Sequence, residues 1–178
     1  MAITHGYCLA VYEGRLSDIH KHYHDNEYGF PAKDDNELFG RMLLEINQAG
    51  LSWDIVLKKR ASIKEAYADF EIDKVANFSE DDVTRLLQNP GIIRMRLKIL
   101  AAIHNAKVIQ NLQNSHGSYA NWLAEKKGLS IEEWIKLFKK TFKFMGKETT
   151  KEFLMSTAYI AGAHDPECPI SNKAKISQ

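Results

Sequence analysis

The chain has 178 residues, 44% hydrophobic and 26% charged, with 24 basic against 23 acidic side chains and a formal net charge of +1. That length supports a hydrophobic core of its own, and four prolines and ten glycines exclude collagen-like, low-complexity and wholly disordered chains. No run approaches the roughly eighteen apolar residues of a membrane span, and MAITHGYCLAVYEGR lacks the layout of a secretion signal, so a cytoplasmic protein is expected. Cys8 and Cys168 are too few for a disulfide framework and read as free thiols or metal ligands.

From about residue 35 the apolar residues recur at three and four, which predicts helix, and strand-like alternation is nearly absent. Asp34-Asp35-Asn36-Glu37 supplies a cap and an acidic first turn, after which Leu38, Met42, Ile46 and Ala49 run along one face until Gly50. A second helix starts at Ser52, with Trp53, Val56, Leu57, Ile63, Tyr67 and Phe70 apolar. Ser79 to Asp82 caps a short helix that ends at Asn89-Pro90-Gly91, and Met95, Ile99, Ala102, Ile103, Ala106 and Ile109 define the next. Two shorter helices carry Trp122 and Trp134, and a last long one follows Gly146 through Phe153 to Ile160, leaving a frayed tail after Pro169. The expectation is an all-α bundle of seven to nine helices, one domain over 1–178, with no internal repeat.

Charge is uneven along this frame. Residues 136 to 151 hold six lysines against Glu148 alone, and residues 65 to 82 lean acidic. A local basic segment across an interhelical turn suits phosphates, although a solvated helix face has the same composition.

Three constellations could carry chemistry. His20, His22 and His24 follow Cys8 near one end, and His164-Asp165-Pro166-Glu167-Cys168 lies near the other. A second His/Cys pair would complete a tetrahedral two-His, two-Cys zinc site clipping the termini together; surface histidines and a buried thiol are the alternative. Glu45 lies on the apolar row Leu38, Met42, Ala49, where a carboxylate either bonds across the core or faces a pocket. Gln48-Ala49-Gly50-Leu51-Ser52-Trp53 makes a corner with a large aromatic beside it, and Tyr23, Tyr28 and Trp53 offer flat surfaces for a flat ligand such as a nucleobase. Finally, the glycine turn Phe142 to Thr149 offers helix N-terminal amides to an anion. Phosphate-cradling glycine loops, Ser-His-Asp order and CxxC pairs are absent.

Read in order, Tyr23-His24-Asp25-Asn26-Glu27-Tyr28-Gly29, Leu44 to Trp53, Gly91-Ile92-Ile93-Arg94 and Phe142 to Gly146 resemble the 3-methyladenine DNA glycosylase I family over about residues 20 to 169. The resemblance implies an all-α, helix-hairpin-helix DNA glycosylase-like bundle with a zinc clip joining the termini. It also implies base excision repair of alkylation damage: monofunctional hydrolysis of the N-glycosidic bond of 3-methyladenine, flipped out of double-stranded DNA. Carried over by position, the structural zinc ligands are Cys8, His24, His164 and Cys168. Glu45 is the catalytic residue and meets the polar edge of the base, Trp53 stacks on it, and Tyr23 and Tyr28 line it. Gly50 and Leu51 enter the gap left by the base, and Gly146, Lys147 and Thr149 hold the DNA backbone.

Two departures stand out. Leu9-Ala10-Val11 follows Cys8 where the family has a tryptophan, and Met155 to Gly162 lacks the family's glutamines, which fits a divergent subfamily with a changed substrate range. Two alternative readings follow: a broader-range glycosylase using Asp165, nineteen residues after Gly146, or a damaged-DNA-binding module that has lost catalysis. A monomer with no membrane partner is expected.

Overall fold

Side-chain caps open most of the longer helices. In the computed structural model, which describes residues 3, 4 and 6–176, the Asp34 carboxylate accepts the Glu37 amide at 2.8 Å and starts α3 (Asp35–Gln48). Met1, Ala2, His5, Ser177 and Gln178 belong to the expected domain 1–178, three of them to the N-terminal stretch read above, and lie outside the described residues. Ser52 caps α4 (Trp53–Ala66), Ser118 caps α8 (Tyr119–Ala124), and Ser130 with Glu133 forms a capping box at α9 (Ile131–Thr141). Each such cap contributes about 1 kcal/mol by satisfying an amide the helix leaves open. Asp82 bonds back to the Ser79 amide at the start of α6 (Glu80–Gln88).

The remaining helices are α1 (Gly6–Tyr12), α2 (Asp18–Asn26), α5 (Ile72–Ala76), α7 (Arg96–His116), α10 (Lys147–Ser156) and α11 (Pro169–Ile176). Eleven α-helices among the described residues exceed the seven to nine expected, because α1, α5 and α11 are too short to show a period in sequence. No strand occurs among the described residues, and no helix is long and apolar enough to cross a membrane.

Three boundaries differ from the sequence expectation. The helix after Ser52 stops at Ala66 rather than continuing through Phe70, because Ala68, Asp69 and Phe70 all take left-handed backbone, with φ of 51°, 58° and 63°. The helix after Gly146 stops at Ser156 rather than Ile160; Ala158 is left-handed at φ 66°. The tail after Pro169, expected to fray, forms α11 with Ile170 and Ala174 buried.

The chain forms two compact units, Lys33–Lys151 and a second from Met1–Ala32 with Glu152–Gln178. In Lys33–Lys151, α7 runs for 21 residues, about 31 Å at the helical rise, and packs with α3, α5, α6 and α8. The other unit draws α1, α2 and α11 from both ends of the sequence, and its core includes Cys8, Cys168 and Ile170 with Ile3 and Phe30 against them.

The left-handed turn at 68–70 explains a glycine inside α3. A Cβ on Gly40 would stand 2.3 Å from Cδ2 of the Phe70 ring. Gly40→Ala gains about 1 kcal/mol of helix propensity but inserts a methyl where the ring has no room, typically a loss of 1–3 kcal/mol or more. The overlap wins: the variant should unfold at lower urea with unchanged slope, and a stabilised variant would show that Phe70 moves freely.

Candidate functional site

The two ends of the sequence meet at four donors. Cys8 Sγ, His24 Nε2, His164 Nδ1 and Cys168 Sγ all lie within 4.8 Å of one another, with Cys8, His24 and Cys168 buried. The separations are 3.3 Å from His24 to Cys8 and to His164, 3.8 Å from Cys8 to His164 and from Cys168 to His24, and 3.9 Å from Cys168 to His164. Burial pushes the Cys8 thiol up to about 11; the Asp165 amide that donates to its sulfur works against the rise, and the nearby Cys168 adds to it. A metal ion held between sulfur and imidazole donors favours the thiolate form, and the donor set is one that could hold such an ion.

The neighbours of these donors account for the segment Tyr23 to Gly29 residue by residue. Asp25 Oδ1 lies 2.7 Å from His24 Nδ1, which fixes the ring so that Nε2 faces the cluster. Burial alone would raise the Asp25 carboxyl, but bonds from Lys21 and His24 outweigh it and hold it below the usual range. The Tyr28 carbonyl lies 2.6 Å from His164 Nε2, so that ring too is held by its far nitrogen. Gly29 has φ 79°, and a Cβ there would stand 2.8 Å from Ala163 Cβ and 3.1 Å from the His164 ring, so only glycine lets the two segments close. Asp165, buried beside the four donors, accepts from the Thr4 amide and hydroxyl and from the Glu167 amide, while its own amide donates to Cys8 Sγ. Its carboxylate thus braces the loop that carries His164 and Cys168. Tyr23 and Tyr28 are buried in the same unit, their rings 5.7 Å apart, and the Tyr28 ring meets His164 edge-on at 5.6 Å.

In Lys33–Lys151, Glu45, Gly50, Leu51 and Trp53 fall on one helix-corner-helix. Glu45 is 5% exposed, one turn before the end of α3. The corner closes with a Leu51 amide to Gln48 carbonyl bond of 2.7 Å, and the Gln48 side chain returns a bond to the Leu51 carbonyl. Gly50 supplies the left-handed residue this path needs, at φ 82°, and projects into open space, while Leu51 is exposed. Ser52 then restarts the helix, placing Trp53 at its first position.

The turn between α9 and α10 is held from beneath. Asn105, fully buried on α7, accepts the Lys143 amide at 2.8 Å and donates to the Lys143 carbonyl at 3.0 Å. Phe142 and Met145 point inward, and Phe144 is exposed at φ 60°. Gly146 has no atom within 4 Å of a built Cβ and no unusual φ, so nothing inside the fold requires glycine there. Lys147 is exposed and Thr149 half-buried at the start of α10, and all six lysines from Lys136 to Lys151 are exposed.

Asp25, Gly29, Lys98 and Asn105 were not singled out by the sequence. Lys98 is 4% exposed, and its ammonium donates to the carbonyls of Asn47 at 2.8 Å and Ala49 at 2.7 Å. A signal existed: Lys98 and Asn105 stand at helical spacing in the row 98, 102, 105, 109, whose other members Ala102 and Ile109 are buried.

The pattern of the family described as Methyladenine glycosylase matches residues 14–136. A DNA-3-methyladenine glycosylase of Haemophilus influenzae is 32% identical over 170 residues, 85% of this chain and 91% of that protein. DNA-3-methyladenine glycosylase 1 of Escherichia coli is 44% identical over 101 residues, an alignment that spans only 54% of that protein and 57% of this chain. Among solved structures, 3-methyladenine DNA glycosylase I from Staphylococcus aureus superposes with a TM-score of 0.80 at 29% identity, covering 93% of this chain and 97% of that one. A variant of 3-methyladenine DNA glycosylase I in complex with 3-methyladenine gives 0.79 at 29% identity, covering 89% and 95%.

The Asn105 clamp yields a stability prediction. Asn105→Ala strips partners from two backbone groups and opens a cavity, a loss of roughly 2–4 kcal/mol. Urea unfolding should register it in full, with Asn105→Asp intermediate; a change below about 1 kcal/mol would mean water replaces the side chain.

Proposed function

The chain belongs to the methyladenine glycosylase family, and on that premise we propose that it excises 3-methyladenine from alkylated double-stranded DNA as a monofunctional N-glycosyl hydrolase that flips the base. The observation that carries the proposal is the placement of a buried carboxylate, an exposed glycine-leucine corner and a large aromatic on one helix-corner-helix. Leu51 is an apolar wedge of the size that enters a base step, and Gly50 lets backbone follow it. Glu45 reads the polar edge of the extruded base and Trp53 stacks on it; the roles of Tyr23 and Tyr28 as further base contacts rest on the family resemblance.

Little acid catalysis is required. Methylation at N3 gives the base a delocalised positive charge, so the bond from N9 to the sugar is already weak. When it breaks, both electrons stay with the base, which leaves neutral, and water adds to the sugar carbon and loses a proton. An aromatic face and a carboxylate favour the cationic base over ordinary adenine through cation–π attraction and charge-assisted bonding. A damaged nucleotide also unstacks at lower cost, which adds to selectivity.

The DNA backbone is held at Gly146, Lys147 and Thr149. Glycine at 146, demanded by nothing inside the protein, permits a phosphate to approach the backbone closely, and the exposed lysines on either side supply the charge. The ion proposed for the four-donor cluster is zinc. Zinc bound to two sulfurs and two nitrogens at their usual lengths sets neighbouring donors about 3.3–3.8 Å apart; the five separations that involve a histidine run from 3.3 to 3.9 Å, and all the donors lie within 4.8 Å of one another. Four protein donors leave no position for substrate, so the ion is structural and supplies folding energy. The proposed unit of function is the domain 1–178, monomeric and cytoplasmic.

Release of free bases from methylated duplex DNA, resolved by chromatography, tests the activity with wild type, Glu45→Gln and Asp165→Asn side by side. Wild type should release 3-methyladenine, Glu45→Gln should be at least tenfold slower, and Asp165→Asn should stay within severalfold of wild type below its melting temperature. A loss of several orders of magnitude in Asp165→Asn would install the broader-range mechanism; abasic-duplex binding without any release would make the chain a binding module. For the metal, elemental analysis should find one zinc per chain, absent from Cys168→Ser, whose melting temperature falls. A metal-free wild type of unchanged stability would overturn the assignment.

A further inference from the structure

A lysine four-hundredths exposed is unusual, because its ammonium loses hydration that protein groups must replace. Lys98 also sits in the first turn of α7, at the positive end of a helix, where a cation is disfavoured. Burial lowers its proton affinity, and among the described residues no carboxylate bonds to it. What holds it charged is the opposite pole of α3: the Asn47 carbonyl is among the last four that a helix leaves without internal partners, and the Ala49 carbonyl follows at the C-cap. Within the corner the Leu51 amide bonds to the Gln48 carbonyl and the Gln48 side chain to the Leu51 carbonyl. Lys98 therefore ties down the two carbonyls on the approach to Gly50 and Leu51, from a rigid 21-residue helix.

We propose that Lys98 is a positioning residue for insertion into DNA: bonded to the carbonyls of Asn47 and Ala49, it fastens the corner so that Leu51 enters the duplex at a fixed depth. The inference rests on the excision reading above. It separates two tasks that share α3. Glu45 lies within the regular helix and recognises the base without Lys98, whereas the corner beyond Asn47 depends on it for extrusion. Lys98 touches no phosphate in this role, since its ammonium is turned to the protein's own backbone.

The test uses the whole 178-residue chain with Lys98→Met, which keeps length and apolar volume, and Lys98→Gln, which keeps N–H donors without the charge for a fold that tolerates no methionine. Three quantities are read below the melting temperature of each variant: single-turnover release of 3-methyladenine from methylated duplex, affinity for the free base 3-methyladenine, and affinity for a duplex with an abasic analogue across a series of salt concentrations. The expected result is at least a tenfold loss in release and in abasic-duplex affinity, free-base affinity within twofold of wild type, and an unchanged slope of log affinity against log salt. A slope reduced by about one would make Lys98 a phosphate contact and overturn the proposal. A parallel fall in free-base affinity would make it a general stabiliser, and undiminished release would remove it from the mechanism. Wild type that releases no base would instead defeat the excision reading, an outcome distinct from each of these.

Discussion

Four donors from opposite ends of the sequence converge within 4.8 Å, inside the unit built from those ends. Its helices α1, α2 and α11 have 7, 9 and 8 residues, too short to be stable alone, and each must be fixed by a partner. The cluster does this from inside: Cys8 comes from α1, His24 from the last turn of α2, and Cys168 directly precedes α11. Around it the polar groups are spoken for. Asp25 and the Tyr28 carbonyl orient the two rings, and Asp165 braces the loop between His164 and Cys168. This arrangement also explains why Asp165 stands where a catalytic carboxylate would be sought by spacing alone: its oxygens are engaged with Thr4 and Glu167.

Much of this was legible because its signals are local. Caps at Asp34, Ser52 and Ser130 and the break at Asn89-Pro90-Gly91 are matters of a few adjacent residues, and the helices begin and end there. The four donors were legible as a set only through the resemblance; spacing offered them alongside His20 and His22, which are not among the donors. What the sequence concealed depends on contacts between distant residues. Nothing near Gly40 announces the Phe70 ring, and nothing near Phe70 announces three left-handed residues in succession. The same holds for α11, whose burial of Ile170 and Ala174 stabilises a tail that its composition would leave frayed.

The unit Lys33–Lys151 follows another logic. Its long helix α7 carries polar groups on an otherwise apolar row, seven residues apart, and each is bonded to the backbone of a different exposed loop. Lys98 serves the corner after α3, and Asn105 serves the turn before α10. Seven residues of helix span about 10 Å, so the separation between these two attachment points is set by the stiffest element of the unit. The two loops gain a common reference in this way without themselves being rigid throughout.

The interrupted chain order of the unit that carries the four donors has a consequence for biogenesis. Its first portion, through Ala32, leaves the ribosome before Lys33–Lys151, and its second portion begins only at Glu152. At ordinary elongation rates the early cysteine and histidine wait roughly 7–32 s for their partners, while the intervening unit folds on local helical contacts in far less time. Assembly is therefore sequential. The inserted unit is native while the N-terminal segment still exposes Cys8, and closure of the four-donor cluster becomes the last event, available as soon as Cys168 emerges from the exit tunnel.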